Sequence, residues 1–586
     1  VKVLMTGNEA IARGAYEYGV GVAAAYPGTP STEILENIAT YKEIPCQWSP
    51  NEKVALEVGI GAAIAGARTI VTMKHVGVNV AADPLLTVAY TGVRGGLVLV
   101  SADDPGMHSS QNEQDNRFYG PFAKIPVLEP SDSQEAKEMV GLALEMSETF
   151  DTPVILRITT RIAHSRSLVT LNEPVERTAK PYSKDAKKYV MIPAYGRARR
   201  LFIEERDQKL GAFSETCPVN RIEAGSEPNG VGILTSGIAY SYVKEAFPQA
   251  PVLRVGLTHP IPKQLITDWA QGFNHVIVVE ELEPYLENQL RAMGLPVLGK
   301  PFFPPFGELS VQSVQAGVQA ALASRGVAIA IPETNVPAPF TAPMRPPVLC
   351  PGCPHRGVFY VLKQLKAVVS GDIGCYTLGT MAPLDGIDTC ICMGASISGA
   401  LGMEKAHPEM ANRIVAVIGD STFLHSGVTG LMDIVYNGGT STVMILDNSI
   451  TAMTGHQHHP GTGQTLMGDP APMVDYEALV RALGVKRVVE VDPLDIKQVK
   501  AVLKEEMAVR EPSVIIARRP CALRVKNDRP LIVENCKGCR ACIGVGCPAL
   551  SMDPATRKAV VDATLCTGCG VCARVCMFDC FRPGGE

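Results

Sequence analysis

The chain has 586 residues, 46% of them apolar and 19% charged, with 54 basic against 59 acidic side chains and a net charge of −5. A length of this order implies several domains of about 100–200 residues each. The apolar content excludes a disordered chain, and the near balance of charge leaves no footprint for nucleic acid or a membrane surface. Seventeen cysteines are many for a chain in a reducing compartment, where disulfides are disfavoured, so clusters of them point to metal. No run of about 18 apolar residues marks a membrane span. Val1-Lys2-Val3-Leu4-Met5 reads as an immediate strand rather than a secretory leader, and a cytoplasmic protein is expected.

In chain order, residues 1–190 alternate strand-like and helix-like segments. Val20 to Tyr26 runs into Pro27-Gly28-Thr29-Pro30-Ser31-Thr32-Glu33, a loop whose Ser and Thr can cap a following helix. Asn51-Glu52 opens a helix dense in small residues, which calls for close backbone packing, and the strand Thr69 to Met73 follows. Gly95 to Ser101 is a further buried strand, succeeded by the polar loop Asp103 to Asn116. Residues 191–229 are charged and irregular, with Ala198-Arg199-Arg200 and Glu204-Glu205-Arg206-Asp207, and read as a helical connector with a solvated face. The β/α alternation resumes over 230–300, through Val231 to Leu234, Pro251 to Val255 and Val276 to Glu281. Residues 301–347 are rich in proline (Pro304-Pro305, Pro332, Pro337, Pro339, Pro343, Pro346-Pro347) and read as an extended linker.

Residues 348–525 hold Cys350, Cys353 and Cys375, then Val417-Ile418-Gly419-Asp420-Ser421 and Ile445-Leu446-Asp447-Asn448. The last two are apolar strand ends that finish in a carboxylate and, 28 residues on, in an amide. Parallel α/β sheets bind ligands at such carboxyl edges. Mg2+ takes one or two protein oxygens and completes its shell with a diphosphate, a role that suits Asp420 and Asn448, and Gly419 would let a phosphate approach the backbone. The same pair could also simply cap two loops.

Residues 526–586 carry the most specific signal. Cys536, Cys539 and Cys542 run at C-x2-C-x2-C and reach Cys547-Pro548, while Cys566, Cys569, Cys572 and Cys576 run at C-x2-C-x2-C-x3-C. Three thiolates from one tight loop reach three irons of a cubane, and the remote fourth crosses to the other cluster. One 4Fe-4S cluster is therefore assigned to Cys536, Cys539, Cys542 and Cys576, and a second to Cys566, Cys569, Cys572 and Cys547. Zinc is the alternative. Four residues before Cys547 and Met577 in place of a second proline depart from the simple pattern, which makes Cys580 a competitor of Cys576. Cys46, Cys217, Cys390 and Cys392 read as buried free thiols.

Tyr26-Pro27-Gly28-Thr29-Pro30-Ser31 resembles the Tyr-Pro-Ile-Thr-Pro-Ser loop of 2-oxoacid:ferredoxin oxidoreductases, and Met73 to Asn79 and Asp103 to Glu113 resemble the alpha subunit of its indolepyruvate branch. Gly419-Asp420-Ser421 with Asn448 is similar to the Gly-Asp-Gly to Asn signature of thiamine-diphosphate enzymes, Ser421 replacing the second glycine. The resemblance implies a multidomain α/β chain. It comprises a pyrimidine-binding thiamine domain (1–190), a transketolase-C-like domain (230–300), a diphosphate-binding thiamine domain (348–525) and a two-cluster ferredoxin domain, the thiamine domains being doubly wound parallel sheets.

It further implies thiamine diphosphate bound with Glu52 at the aminopyrimidine and with Gly419, Asp420, Ser421, Asn448, Thr454 and Gly455 at the diphosphate. Mg2+ would lie on Asp420, Asn448 and Ile450. A third 4Fe-4S cluster would lie beside the thiamine on Cys350, Cys353, Cys375 and Cys521; read alone, Cys350 and Cys353 are a zinc half-site or buried thiols, and Glu52 is a helix-start residue. Thr29, His75 and His108 are expected to donate hydrogen bonds to the substrate carboxylate, since the arginine of the pyruvate-type loop is missing from Asp103 to Gln111. The implied activity is CoA-dependent oxidative decarboxylation of aryl 2-oxoacids such as indolepyruvate to aryl-acetyl-CoA and CO2, with electrons passing to ferredoxin. The partner is a beta subunit carrying the gamma-type domain in an α2β2 assembly. Branched-chain 2-oxoacids or phenylglyoxylate as substrate, and a non-catalytic electron-transfer subunit, are the alternatives.

Overall fold

The computed structural model describes residues 1–226, 230–329, 342–343, 345–526 and 528–584. The chain divides into two compact units, Val1–Pro339 and Phe340–Glu586. Among the described residues no helix is long and apolar enough to cross a membrane.

The first unit is built on two large sheets and an antiparallel ribbon, Lys2–Thr6 with Arg166–Thr170. One sheet has seven strands in the order Leu257–His259, Val127–Leu128, Val154–Thr159, Leu97–Asp103, Thr69–Lys74, Val22–Ala25 and Cys46–Trp48. All are parallel except the first, which pairs antiparallel with Val127–Leu128. The central members are buried along their whole length, which is why their sequences are continuous apolar runs rather than alternating ones. The second sheet has five strands, ordered Val297–Leu298, His275–Val279, Val231–Thr235, Val252–Arg254 and Arg221–Glu223, the last antiparallel.

Two features of this unit differ from the sequence reading. The strand Leu257–His259 leaves the region expected as a self-contained domain and completes the neighbouring sheet. The stretch 301–347, expected as an extended linker, contains the helix Val311–Ala323, whose Val314, Val318, Ala321 and Leu322 are buried in the core of the five-stranded sheet. Apolar residues at i, i+4, i+7 and i+8 are a helical stripe, and no proline interrupts them. Pro332, Pro337 and Pro339 of the expected linker lie outside the described residues. The charged helix Pro193–Ser214 is exposed on most of its length but buries Ile203, Arg206, Leu210 and Ser214.

The second unit has one six-stranded, all-parallel sheet ordered Thr389–Cys390, Val368–Gly371, Ile414–Gly419, Thr442–Asp447, Ser513–Arg518 and Arg487–Val491. Helices His355–Leu365 and Ile496–Glu506 contribute to the core on one side, and Ala395–Ala406 and Val428–Tyr436 to the core on the other. The cysteine-rich tail forms two antiparallel ribbons, Leu531–Val533 with Phe581–Pro583 and Leu550–Met552 with Ala559–Val561. It is not a loose appendage: its Val545 and Val571 are buried in the same core cluster as Leu349, Val358 and Tyr376 of the sheet domain.

Candidate functional site

In the first unit the strands Cys46–Trp48, Val22–Ala25, Thr69–Lys74 and Leu97–Asp103 are neighbours and end at one edge of the sheet. Glu52 opens the helix Glu52–Ile64, whose cap is Asn51 accepting from the Val54 amide at 2.9 Å. It is 5% exposed and sits where the helix dipole favours a carboxylate. A Cβ at position 77 would stand 2.7 Å from Glu52 Oε1, so Gly77 is what leaves the carboxylate its room.

The loop after Val22–Ala25 is tied to the loop after Leu97–Asp103, because Ser109 Oγ donates to the Thr29 carbonyl at 3.2 Å. The two histidines do not stand together as substrate donors. His75 is fully buried, its Nε2 lies 3.2 Å from the Asn112 carbonyl, and burial pushes its pKa down. His108 has a half-exposed side chain, 52% accessible, 3.2 Å from Glu308. The sequence reading missed Lys74, the last residue of its strand. Its Nζ donates to the Ser109 carbonyl at 2.6 Å, and burial lowers its pKa to about 8 against the opposing pull of Asp104. A lysine between two ordinary-looking strand and helix residues gives no local signal.

Behind this edge Asp103 and Asp104 are held by their own chain, whereas Glu129 Oε2 is buried without a hydrogen bond. Asp103 accepts from Arg157 Nε at 2.9 Å and from the Asn116 amide at 3.0 Å. Asp104 accepts from Ser110 at 2.6 Å, Thr160 at 2.7 Å and the Ser109 amide at 2.8 Å. Arg117, 1% exposed, donates to Asp115 and Glu280 and so joins the two sheets of the unit.

In the second unit the edge has another character. Asp420 follows Ile414–Gly419 and Asn448 follows Thr442–Asp447, on adjacent strands. Asp420 is 2% exposed; its Oδ1 accepts from the Ser421 amide at 2.9 Å, but its Oδ2 is buried without a hydrogen bond. His459 Nε2 lies 3.2 Å from the same oxygen. A buried carboxylate oxygen without a donor is costly, and a hard cation is the partner it fits. Burial, and Asp420 after it, pushes neighbouring Asp447 up to about 6.

Thr451 Oγ1 donates to Ser421 at 3.0 Å, and Thr454 Oγ1 to Gln457 Oε1 at 2.5 Å; these bonds, with His459, fold the loop that carries Thr454 and Gly455 back onto the Asp420 end. The Ile450 side chain is buried and apolar, so only its carbonyl could serve a cation. A Cβ on Gly419 would lie 2.6 Å from the Tyr376 ring. The glycine is thus needed for packing against that ring.

The thiols fall into three groups. Burial above all, with Cys375 and Cys350 adding to it, pushes the Cys353 thiol up to about 12. Burial, then Cys521 and Cys350, pushes Cys375 up to about 11. Cys521 is also bonded to the residue after the strand Thr442–Asp447, its amide donating to the Asn448 carbonyl at 3.0 Å. Cys375, Asp420, Asn448 and Cys521 accordingly follow four consecutive strands of one sheet.

In the tail, burial followed by Cys536, then Cys539 and Cys576, raises Cys542. Burial followed by Cys569, Cys547 and Cys566 raises Cys572. Cys547, Cys566, Cys569 and Cys572 wall one cavity together with Val545 and Arg356. Backbone amides point at the sulfurs: Ala559 and Gly538 donate to Cys536 at 3.3 and 3.4 Å, Leu531 to Cys566 at 3.4 Å, and Cys580 to Cys576 at 3.4 Å. Donors of this kind stabilise negative sulfur on a cluster. Cys580 itself turns to the Asn535 and Phe578 carbonyls. Among the described residues no three His, Cys, Asp or Glu side chains meet as around a single ion; thiolates on a cubane each take a separate iron and need not. Cys46 and Cys217 are buried as expected, whereas Cys392 is exposed and Cys390 half-buried, because they lie on an edge strand and the turn after it.

Residues 13–201 match the family model described as "Pyruvate flavodoxin/ferredoxin oxidoreductase, thiamine diP-bdg". Residues 372–517 match "Thiamine pyrophosphate enzyme, C-terminal TPP binding domain". The indolepyruvate oxidoreductase subunit IorA of Archaeoglobus fulgidus is 43% identical over 615 residues, covering 99% of this chain and 97% of that one. The subunits of the same name from Thermococcus kodakarensis and Methanothermobacter thermautotrophicus are 41% and 39% identical, covering 100% of this chain and 97% and 98% of theirs. With identity at this level running end to end, and with the thiamine-type edges and thiol sets in place, the chain belongs to the IorA subunit family of indolepyruvate oxidoreductases.

Proposed function

We propose that this chain is the thiamine-binding, electron-exporting subunit of an enzyme that oxidatively decarboxylates aryl 2-oxoacids, indolepyruvate among them, to aryl-acetyl-CoA and CO2 with ferredoxin as acceptor. The observation that carries this reading is the shared edge of the second sheet, where Asp420 and Asn448 stand between the strands that lead to Cys375 and Cys521. When bound, thiamine diphosphate supplies the electron sink for loss of CO2, and 4Fe-4S clusters carry the electrons onward singly. Asp420, Asn448 and the Ile450 carbonyl would hold Mg2+ on the diphosphate, with Ser421, Thr454 and Gly455 in the loops around it. Glu52 would accept the hydrogen bond of the aminopyrimidine and hold the proton there. Lys74 and Thr29 would orient the substrate carboxylate, the lysine standing in for the arginine that this loop lacks.

The Cys350 set (Cys350, Cys353, Cys375, Cys521) would bind the cluster beside the thiamine. The Cys547 set (Cys547, Cys566, Cys569, Cys572) and the Cys536 set (Cys536, Cys539, Cys542, Cys576) would bind the two that follow. The working enzyme would include a beta subunit carrying the gamma-type domain, as α2β2 in the cytoplasm. The test is anaerobic purification of the chain with that subunit. Thiamine diphosphate, Mg2+ and about twelve irons per chain should co-purify, and CoA-dependent acceptor reduction should be faster with indolepyruvate than with branched-chain 2-oxoacids or phenylglyoxylate. Electron transfer by a preparation that binds no thiamine would replace this reading with the non-catalytic one.

A further inference from the structure

Arg356 belongs to the first turn of the helix His355–Leu365, three residues after Cys353. It is 2% exposed. Its Nη1 donates to the carbonyls of Val545, at 3.1 Å, and Gly546. Its Nη2 donates to the carbonyls of Leu349 and, at 3.0 Å, Cys350. One guanidinium therefore grips the loop that leads into Cys350 and the loop that leads into Cys547. Its Nε has no hydrogen-bond partner, and its four acceptors are neutral carbonyls.

A guanidinium does not give up its proton, and a buried charge with no countercharge is expensive. The negative groups positioned to answer it are sulfurs. Arg356 walls the cavity formed by Cys547, Cys566, Cys569 and Cys572, and its bonds to the Leu349 and Cys350 carbonyls place it beside the Cys350 loop as well. The close fit around it is tight in the backbone too: a Cβ on Gly352 would lie 2.2 Å from Thr567 Oγ1.

We propose that Arg356 is a positioning residue of the electron path, clamping the Cys350 loop to the Cys547 loop and countering the negative charge of the iron–sulfur centres held on either side of it. The inference rests on the three-centre reading given above. In the step concerned, one electron leaves the reduced centre on the Cys350 set and enters the oxidised centre on the Cys547 set; no atom moves. The accepting centre becomes more negative, and a fixed cation in a low-dielectric wall favours that state. Four bonds to two loops also hold the distance between the centres constant while the charge crosses.

The test uses the anaerobic complex with its partner subunit, as wild type, R356Q and R356K. Iron and sulfide are counted, midpoint potentials are read by EPR-monitored titration, and transfer between centres is followed by freeze-quench EPR after mixing with 2-oxoacid and CoA. With iron content retained, R356Q should move the midpoints of both adjoining centres to more negative potential and slow transfer about tenfold or more, the usual scale for an outer partner of a metal site. R356K keeps the charge but not the four-point grip, so it should hold the potentials and still slow transfer. Unchanged potentials and rate in an iron-replete R356Q overturn the inference and leave the three-centre reading intact. If R356Q does not assemble, R356K decides: slowed transfer at wild-type potentials supports the clamp, and unchanged transfer refutes it. A wild-type count of about eight irons instead removes the centre on the Cys350 set, and the inference falls with it.

Discussion

The carboxyl edges of the two large sheets answer the same architectural problem in opposite ways. In residues 1–339 two aspartates behind the edge are closed off by their own chain: Asp103 is held by Arg157 and the Asn116 amide, and Asp104 by Ser109, Ser110 and Thr160. In residues 340–586 the edge keeps a buried Asp420 oxygen without a donor and a set of free thiols on the strands to either side. The first edge sets Glu52 at a helix start beside these two paired aspartates. The second is where the cation and cluster sites are proposed.

That contrast can be broken in four ways. E52Q removes the helix-start carboxylate of the first edge; turnover should fall about 100- to 10,000-fold, the range for losing a positioned acid–base group, with thiamine content and thermal melt unchanged. D103N opens that edge itself. It strips a buried ion pair of one partner, which costs about 3–5 kcal/mol, and denaturant titration should show the loss whether or not cofactors are present. D420N is the mirror case: diphosphate affinity should drop about 10- to 100-fold, while stability of the cofactor-free chain should fall less than in D103N. A D420N chain that melts as low as D103N would make the two edges alike after all. The smallest effect comes from two glycines. G419A drives a methyl into the Tyr376 ring and should cost about 1–3 kcal/mol, whereas G28A meets Lys74 Cβ at 3.1 Å rather than 2.6 Å and should cost less.

What could be read in the sequence follows the range of the interactions. The two tail cysteine sets are local in spacing, so the sequence alone could name them. The Cys350 set is not local. Cys350 and Cys353 share one turn, but Cys375 and Cys521 follow separate strands, and only the folded sheet brings them into one set; resemblance, not periodicity, pointed there. The helix Val311–Ala323 was hidden by the prolines on either side of it, although its apolar stripe was visible. Lys74 and Arg356 left no trace because a single cation beside a strand or in a first helical turn usually faces water. The three-residue strand Leu257–His259 is too short to carry a pattern, and its destination in another sheet is a tertiary fact.

That strand has a consequence for how the molecule can be taken apart. Cutting the gene before residue 230 would expose Val127–Leu128 as a bare sheet margin, open to pairing with any other extended chain, and would strand Leu257–His259 in the remaining fragment without a neighbour. The pyrimidine-type fold and the region after it are therefore not interchangeable parts: a chimera that swaps either one must carry the borrowed strand with it, or it should aggregate rather than dissolve as an independent piece.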